Sequence, residues 1–473
     1  MKTINNLTVK SMMELKKKYR LILQIAAFSV LLYGCNITKP YVSKQSVPDK
    51  LYGDTVAGAN TNMAVLSWKE IFKDPLLQQL INEGIDNNLD LKTAAANLKA
   101  AEANFVQSKQ AFLPTLSGNA TAGVYHPSDA LASNTRVYQL YALSSWQADI
   151  WGKLRSTKRS MYATYLASEA YKQAVKTQLV ANIAVTYYQL LAYDEQLNII
   201  QQSLVVYSKD METMKILKNS DVVTGAAVVQ SAANYYAVKS TVPDIKNNIR
   251  QAENTLSLLL GRTPGTINRD SLFNEQVYSE LSTGLPVQLL ANRPDVKEAE
   301  LQLRSYFELV NVAETCFYPA LTITGQAGLY STELKSFFNA GNLLANIVGG
   351  LTQPILNNGL NKQRLKIAHA NYEAAEYNYS KVLLTAGQEV SNALYQYQMV
   401  DEKTPSRLEQ IANLEKAVHF TKELLKYTSN TNYTDVLTSE QSLLSARQSV
   451  VTDKLQQLQA VVNLYAALGG GWK

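Results

Sequence analysis

The sequence is poor in the side chains that most enzymes and metal centres need. It holds two cysteines, Cys35 and Cys316, and three histidines, His126, His369 and His419, too far apart in sequence for a His-rich ligand cluster. No G-x-S-x-G, H-E-x-x-H, G-x-x-x-x-G-K-[ST] or C-x-x-C motif occurs. The Gly469-Gly470-Gly471 run closes the chain, so it cannot cradle a phosphate at a helix start. No catalytic residue, metal site or cofactor is therefore expected. With 21 Gly and 12 Pro in 473 residues, collagen and low-complexity chains are excluded. A mean hydropathy of −0.15 excludes a bundle of membrane-spanning helices. Five of the six net positive charges reside in the first 34 residues. Removing their six basic and one acidic residues from totals of 45 and 39 leaves 39 and 38, too even a balance for a nucleic-acid footprint.

Basic residues 16–20 (KKKYR) precede an apolar run, Leu21–Leu32, that is too short to span a bilayer and has the form of a secretory signal. Leu32-Tyr33-Gly34-Cys35 resembles the lipobox of bacterial lipoprotein precursors, although Tyr33 stands where a small residue is usual. That resemblance implies cleavage after residue 34 and a covalent lipid on Cys35. Several acyl chains anchor a protein stably, at about 0.8 kcal/mol per buried CH₂. Cys316 is left without a cysteine partner and is expected to pack as a small residue.

The remainder is written twice. Asn87–Tyr125 aligns with Asn292–Tyr330 at a constant offset of 205, pairing Asp90 with Asp295, Phe112 with Phe317, Pro114 with Pro319 and Gly123 with Gly328. Gly152 then meets Gly359 at an offset of 207, and Leu260-Gly261 meets Leu468-Gly469 at 208. Each copy predicts a helix, two strands, a very long helix and a returning helix. The boundaries are residues 66–265 and 266–473, preceded by a signal peptide over 1–34 and a lipidated segment over 35–65.

The strands are expected near 113–125, 136–148, 318–331 and 342–355. Leu116, Gly118, Ala120, Ala122 and Val124 alternate with Ser117, Asn119 and Thr121, and Leu321, Ile323, Ala327 and Leu329 alternate with Thr322, Thr324 and Gln326. A period of two over about ten residues suits a membrane-spanning strand with lipid outside and water inside. Four strands cannot close a barrel, and lipid does not tolerate open edges, so several chains must share one. Pro114 and Pro319 are expected to start strands, where a missing N–H is tolerable, and Gly152 and Gly359 to turn strand into helix.

The long helices are expected over 153–218, 226–260, 360–427 and 434–468. Lys153–Thr224 contains neither Gly nor Pro, and about 65 helical residues reach roughly 100 Å. Gly387 and Pro405 are expected kinks or breaks in the third. Carboxylates scattered along these helices read as solvated faces.

Together with Asn292–Val296, Cys316–Leu321, Asp435-Val436-Leu437 and Leu464–Trp472, this order resembles the TolC-like outer-membrane efflux proteins, in particular their lipidated OprM-type branch. The resemblance implies an α+β membrane protein: a homotrimer with a shared 12-stranded β-barrel, four strands per protomer, continued by an α-helical periplasmic tunnel. Residues 35–65 and the helix breaks would form an equatorial belt. The implied function is a passive exit duct for drugs or other toxic small molecules, docked on a periplasmic adaptor and an inner-membrane RND-type pump. Metal-ion efflux, type I secretion and a non-channel coiled-coil lipoprotein are the alternatives. By the same resemblance Asp435 lines the periplasmic gate, with Thr438 where a second acid is common. The helix-to-helix turns, including Val223, Thr224, Gly225, Ala226, Asn432 and Tyr433, would meet the adaptor. Gly225 is expected to supply the positive φ of the first turn.

Overall fold

The computed structural model describes residues 37–43, 51, 63–125, 135–278, 292–427 and 433–472. The leader, Cys35 and Asn432 lie outside these residues. The elements are α1 (Pro75–Asn87), α2 (Leu89–Gln110), β1 (Thr115–Tyr125), β2 (Thr135–Ala148), α3 (Lys153–Asn219), α4 (Gly225–Leu259), α5 (Pro294–Thr315), β3 (Ala320–Ser331), β4 (Leu343–Thr352), α6 (Leu360–Tyr427) and α7 (Tyr433–Ala467). The chain divides into two compact units. One holds the strands, with the described residues up to 43 and residues 102–164 and 303–375, and the other holds the described residues of 44–101, 165–302 and 376–473.

In the first unit the four strands form one antiparallel sheet in the order β1-β2-β3-β4, leaving β1 and β4 each with an unpaired edge. The register decides its chemistry, because directly opposed residues share a face. Leu116 opposes Ser144, Leu140 opposes Leu329, Trp146 opposes Ile323, and Gly325 opposes Ile347. One face therefore carries Leu116, Ala120, Val124, Leu140, Ala142, Trp146, Leu321, Ile323, Leu329, Leu343, Ile347 and Leu351. The other carries Ser117, Asn119, Thr121, Gln139, Gln147, Thr322, Thr324, Gln326 and Asn346, interspersed with Val137, Leu143, Leu344 and Val348, so it is the more polar face and not a wholly polar one. Pro114 and Pro319 immediately precede β1 and β3, and Trp151 Nε1 donates to the Pro319 carbonyl at 2.7 Å. Gly152 (φ +81°) and Gly359 (φ +75°) precede α3 and α6 in the left-handed region. Their carbonyls accept the first helical N–H groups, from Ser156 and Gln363. The N-terminal segment starts beside this sheet. Thr38 packs against Gly152, and Asn311 on α5 holds Lys39 by two backbone hydrogen bonds of 2.9 and 3.1 Å.

The second unit is built on the internal repeat. Gly261 (φ +67°) ends α4 and Gly469 (φ +88°) ends α7. A Cβ at Gly261 would lie 2.5 Å from the Asn87 carbonyl oxygen, and one at Gly469 would lie 2.5 Å from that of Asn292. Asn88 Nδ2 donates to the Leu259 carbonyl at 2.9 Å, and Arg293 Nη1 donates to the equivalent Ala467 carbonyl at 2.9 Å. The two copies thus close the same turn with the same backbone contact. Leu77, Ile81, Ile183, Tyr187, Leu190, Leu191, Leu256 and Tyr465 form its core.

Of the kinks or breaks expected in α6, no break is present. The helix runs unbroken through Gly387 and Pro405, as α4 does through Pro243. Gly387 is small because the Leu51 carbonyl oxygen would lie 2.5 Å from any Cβ there. A proline forfeits one N–H and crowds one carbonyl. Around Pro405 the helix is held on both sides by Lys403 and Arg407, which both pair with Asp453 on α7. The equatorial belt therefore does not arise from breaks in this helix.

Candidate functional site

The hairpin ends of α3–α4 and α6–α7 are bound into one cluster. Met214 on α3 packs with Tyr433, Val436 and Leu437 on α7, and Leu217, Val223, Ala227, Val228 and Leu425 surround them. Tyr433, expected to face a partner, is instead buried in this cluster. Its hydroxyl is hydrogen-bonded to Ser231 on α4, and burial pushes its pKa up. Val223 also turns inward, which leaves Thr224, Gly225 and Ala226 as the open part of the first turn. The positive φ expected at Gly225 falls on Asp221 (φ +56°), and Gly225 opens α4. Val222 N donates to the Leu217 carbonyl at 2.9 Å, so α3 ends in a Schellman turn whose left-handed residue is an aspartate.

One helical turn behind the cluster lies a buried charge group that reading carboxylates as solvated faces missed. Glu440 on α7 is 5% exposed. Lys422 Nζ on α6 sits 2.5 Å from its Oε1 and 3.1 Å from Asp210 Oδ1 on α3, so one ammonium serves two carboxylates. Beside it, Gln441 Nε2 donates to Asn234 Oδ1 at 2.9 Å. These residues are copy-equivalent at the 207 offset and meet across the repeat. Tyr207 is hydrogen-bonded to Asn234, and burial pushes its pKa up to about 12. A signal for Glu440 was available: it lies three and four residues after Leu437 and Val436, on the buried stripe of α7. Asp435 lies in the first turn of the same helix, exposed. The basic residues further along α7 bond elsewhere: Arg447 to Glu415 at 2.8 Å, and Lys454 to the Glu275 carbonyl at 2.8 Å.

Burial, reinforced by Asp210, pushes the Glu440 carboxyl up from 4.5 to about 8. A carboxyl raised by folding contributes stability that is fully present below the unfolded value and is lost as pH rises through the folded one. Amide-exchange protection over residues 433–440, corrected for intrinsic rates, is expected to fall between pH 5 and pH 9. Glu440→Gln should flatten that dependence, and an unchanged slope in the variant would contradict the assignment.

The arrangement contains a sheet with one apolar and one polar face, two open edges and helical hairpins tied at their ends. It provides a wall, with the helix ends tied together within the chain. A profile of the outer membrane efflux protein family matches residues 80–262 and 285–470, one segment per copy. The chain belongs to the outer membrane efflux protein family. It is 29% identical over 457 residues to the cation efflux system protein CusC of Escherichia coli O6:H1, covering 94% of this chain and 97% of that one. It is 28% identical to the probable outer membrane lipoprotein SilC of Salmonella typhimurium, over 93% and 97% of the two chains. It is 27% identical to the solvent efflux pump outer membrane protein SrpC of Pseudomonas putida, over 94% and 97%. Among solved structures it superposes on the outer-membrane channel OprN with a TM-score of 0.85 (24% identity, 93% and 100% covered) and on CusC with 0.82 (25%, 92% and 100%).

This efflux protein is therefore an outer-membrane channel and not an enzyme. The apolar face of its sheet meets lipid, and the polar face lines water. Three protomers join their open edges into a 12-stranded barrel, and the long helices extend into the periplasm. The strands, 10 to 14 residues long, match the 9–11 needed to cross at a tilt.

Proposed function

We propose that the trimer is a passive exit duct that docks on a periplasmic adaptor, and through it on an inner-membrane RND-type transporter, to export small toxic organic compounds. The two-faced, open-edged sheet carries this reading, because it needs other copies to exist in lipid at all and leaves a water-lined bore when they join. The bore-facing strand residues mix neutral hydroxyls and amides with Val137, Leu143, Leu344 and Val348 and carry no charge, which suits varied solutes better than one ligand. CusC, named for cation efflux, keeps metal ions as the competing cargo. In an efflux-deficient host supplied with the cognate adaptor and pump, deleting the protein should lower resistance to lipophilic drugs and solvents several-fold. Copper and silver tolerance should stay unchanged. The reverse pattern would reassign the cargo to metal ions.

Opening is a shift between closed and open tips, driven by partners that bind the open one better. Three exposed Asp435 carboxylates around the threefold axis favour cations there. Asp435→Ala should reduce cation selectivity and raise single-channel conductance, and an indifferent channel would remove Asp435 from the gate. A helix-terminal acid satisfying the dipole is the competing role. Thr224, Gly225 and Ala226, with Asn432, are the residues proposed to meet the adaptor. A lipid on Cys35 would add an anchor to the membrane-spanning sheet.

A further inference from the structure

We infer that the start of α6 is a docking surface for the headgroups of anionic phospholipids in the inner leaflet of the outer membrane. The two copies place basic residues at the same positions just below the sheet, Arg155 matching Lys362 and Arg159 matching Lys366 at the 207 offset. In copy one these charges are neutralised within the chain. Asp149 bonds Arg155 at 3.1 Å and caps the first N–H groups of α3 at 2.8 and 3.0 Å. Glu308 bonds Arg159 at 2.7 Å.

Copy two lacks both acids. The equivalent of Asp149 is Leu356, and the equivalent of Glu308, on α2, is Ala103. Lys362, Arg364 and Lys366 are all exposed, and among the described residues none forms an ion pair. Lys362 and Lys366, four residues apart, share the side that forms the patch, and Arg364 adds its charge from the other side of the helix. No acidic residue occurs on α6 before Glu373. Three cations in the first two turns of a helix oppose its dipole, an arrangement that costs stability unless an anion faces it.

The surroundings fit a lipid headgroup. The patch continues the lipid-facing sheet, and Ile355 and Leu356 beside it are 92% and 94% exposed. Trp146, Phe317 and Tyr318 are part-exposed at the same end of the strands, as at a membrane interface. Apolar side chains against acyl chains and cations against phosphates is the pattern of an interfacial anchor.

The full-length trimer in non-ionic detergent, titrated with phosphatidylglycerol or phosphatidylcholine and read by native mass spectrometry, tests this. Phosphatidylglycerol should be retained preferentially, and less so as salt rises. The triple variant Lys362→Gln, Arg364→Gln, Lys366→Gln should lose about tenfold of that preference or more. Leu356→Asp, which restores the acid of copy one, should lose part of it, and Lys416→Gln, far along α6, none. Equal retention of the two lipids, or a triple variant with unchanged preference, would overturn the inference. So would displacement of phosphatidylglycerol by inorganic phosphate at constant ionic strength, which points to a free anion. Loss of the trimer with preference intact would assign the patch to subunit contact instead.

Discussion

Lys422→Ala is expected to open the tip at pH 9, where the wild-type Glu440 carboxyl is ionised, and to have much less effect below pH 7, where it holds a proton. The side chain is 29% exposed, while Asp210 and Glu440 beside it are 15% and 4% exposed, so its removal leaves two confined carboxylates facing each other. Breaking a buried pair from one side costs about 3–5 kcal/mol, and the residual exposure of Lys422 argues for about 3. At about 1.4 kcal/mol per tenfold, the closed-to-open ratio should fall roughly a hundredfold. The readout is a several-fold larger single-channel conductance at pH 9, with a much smaller change at pH 6.5. Adding Glu440→Gln should restore most of the closure, because one carboxylate without a cation is then the only charge left. A variant with wild-type conductance and wild-type protection of the tip would show that the charge group is not what holds it.

Gly469→Ala is expected to be among the most damaging single-methyl additions in the chain. The left-handed φ costs an L-residue about 1–2 kcal/mol. The new Cβ would also meet the Asn292 carbonyl oxygen at 2.5 Å, with the Arg293 nitrogen at 2.8 Å, and backbone cannot swing aside as a side chain can. Together these should cost about 3 kcal/mol or more. Gly261→Ala should do equal harm, since Asn87 presents the same oxygen at 2.5 Å. Gly359→Ala separates the two terms: its φ is +75°, yet nothing lies within 4 Å, so only about 1 kcal/mol is expected. Thermal unfolding of the three variants, with trimer yield, checks the ranking. Equal losses at Gly469 and Gly359 would mean that the close approach carries no cost.

These glycines show what was legible from residue order. The repeat offset located both helix ends before any contact was known, and the period of two placed each strand start within two residues. Long helices without Gly or Pro were equally plain, because nothing competes with the helix there. Failures came where a residue acts through a neighbour distant in sequence. Gly387 suggests a kink or break, yet the helix continues and the residue's smallness serves the approach of Leu51. Pro405 suggests the same, but its neighbours' ion pairs to α7 outweigh one lost hydrogen bond. The turn after α3 put its positive φ on Asp221, since an aspartate tolerates that conformation nearly as Gly225 would. Glu440 was overlooked because a lone glutamate on a polar helix is usually solvated, and its partners lie 18 residues before it on α6 and on another helix altogether. The Asp435 gate and the docking turns came from family resemblance rather than from a pattern in the chain.

Single-channel recording from the purified full-length trimer in a planar bilayer tests the central claim most directly. A water-lined barrel of three sheets closed by a tied helical tip predicts a small, cation-preferring, mostly closed conductance that rises in Lys422→Ala at pH 9. A verified trimer that inserts and conducts nothing, in wild type and variant alike, would contradict it.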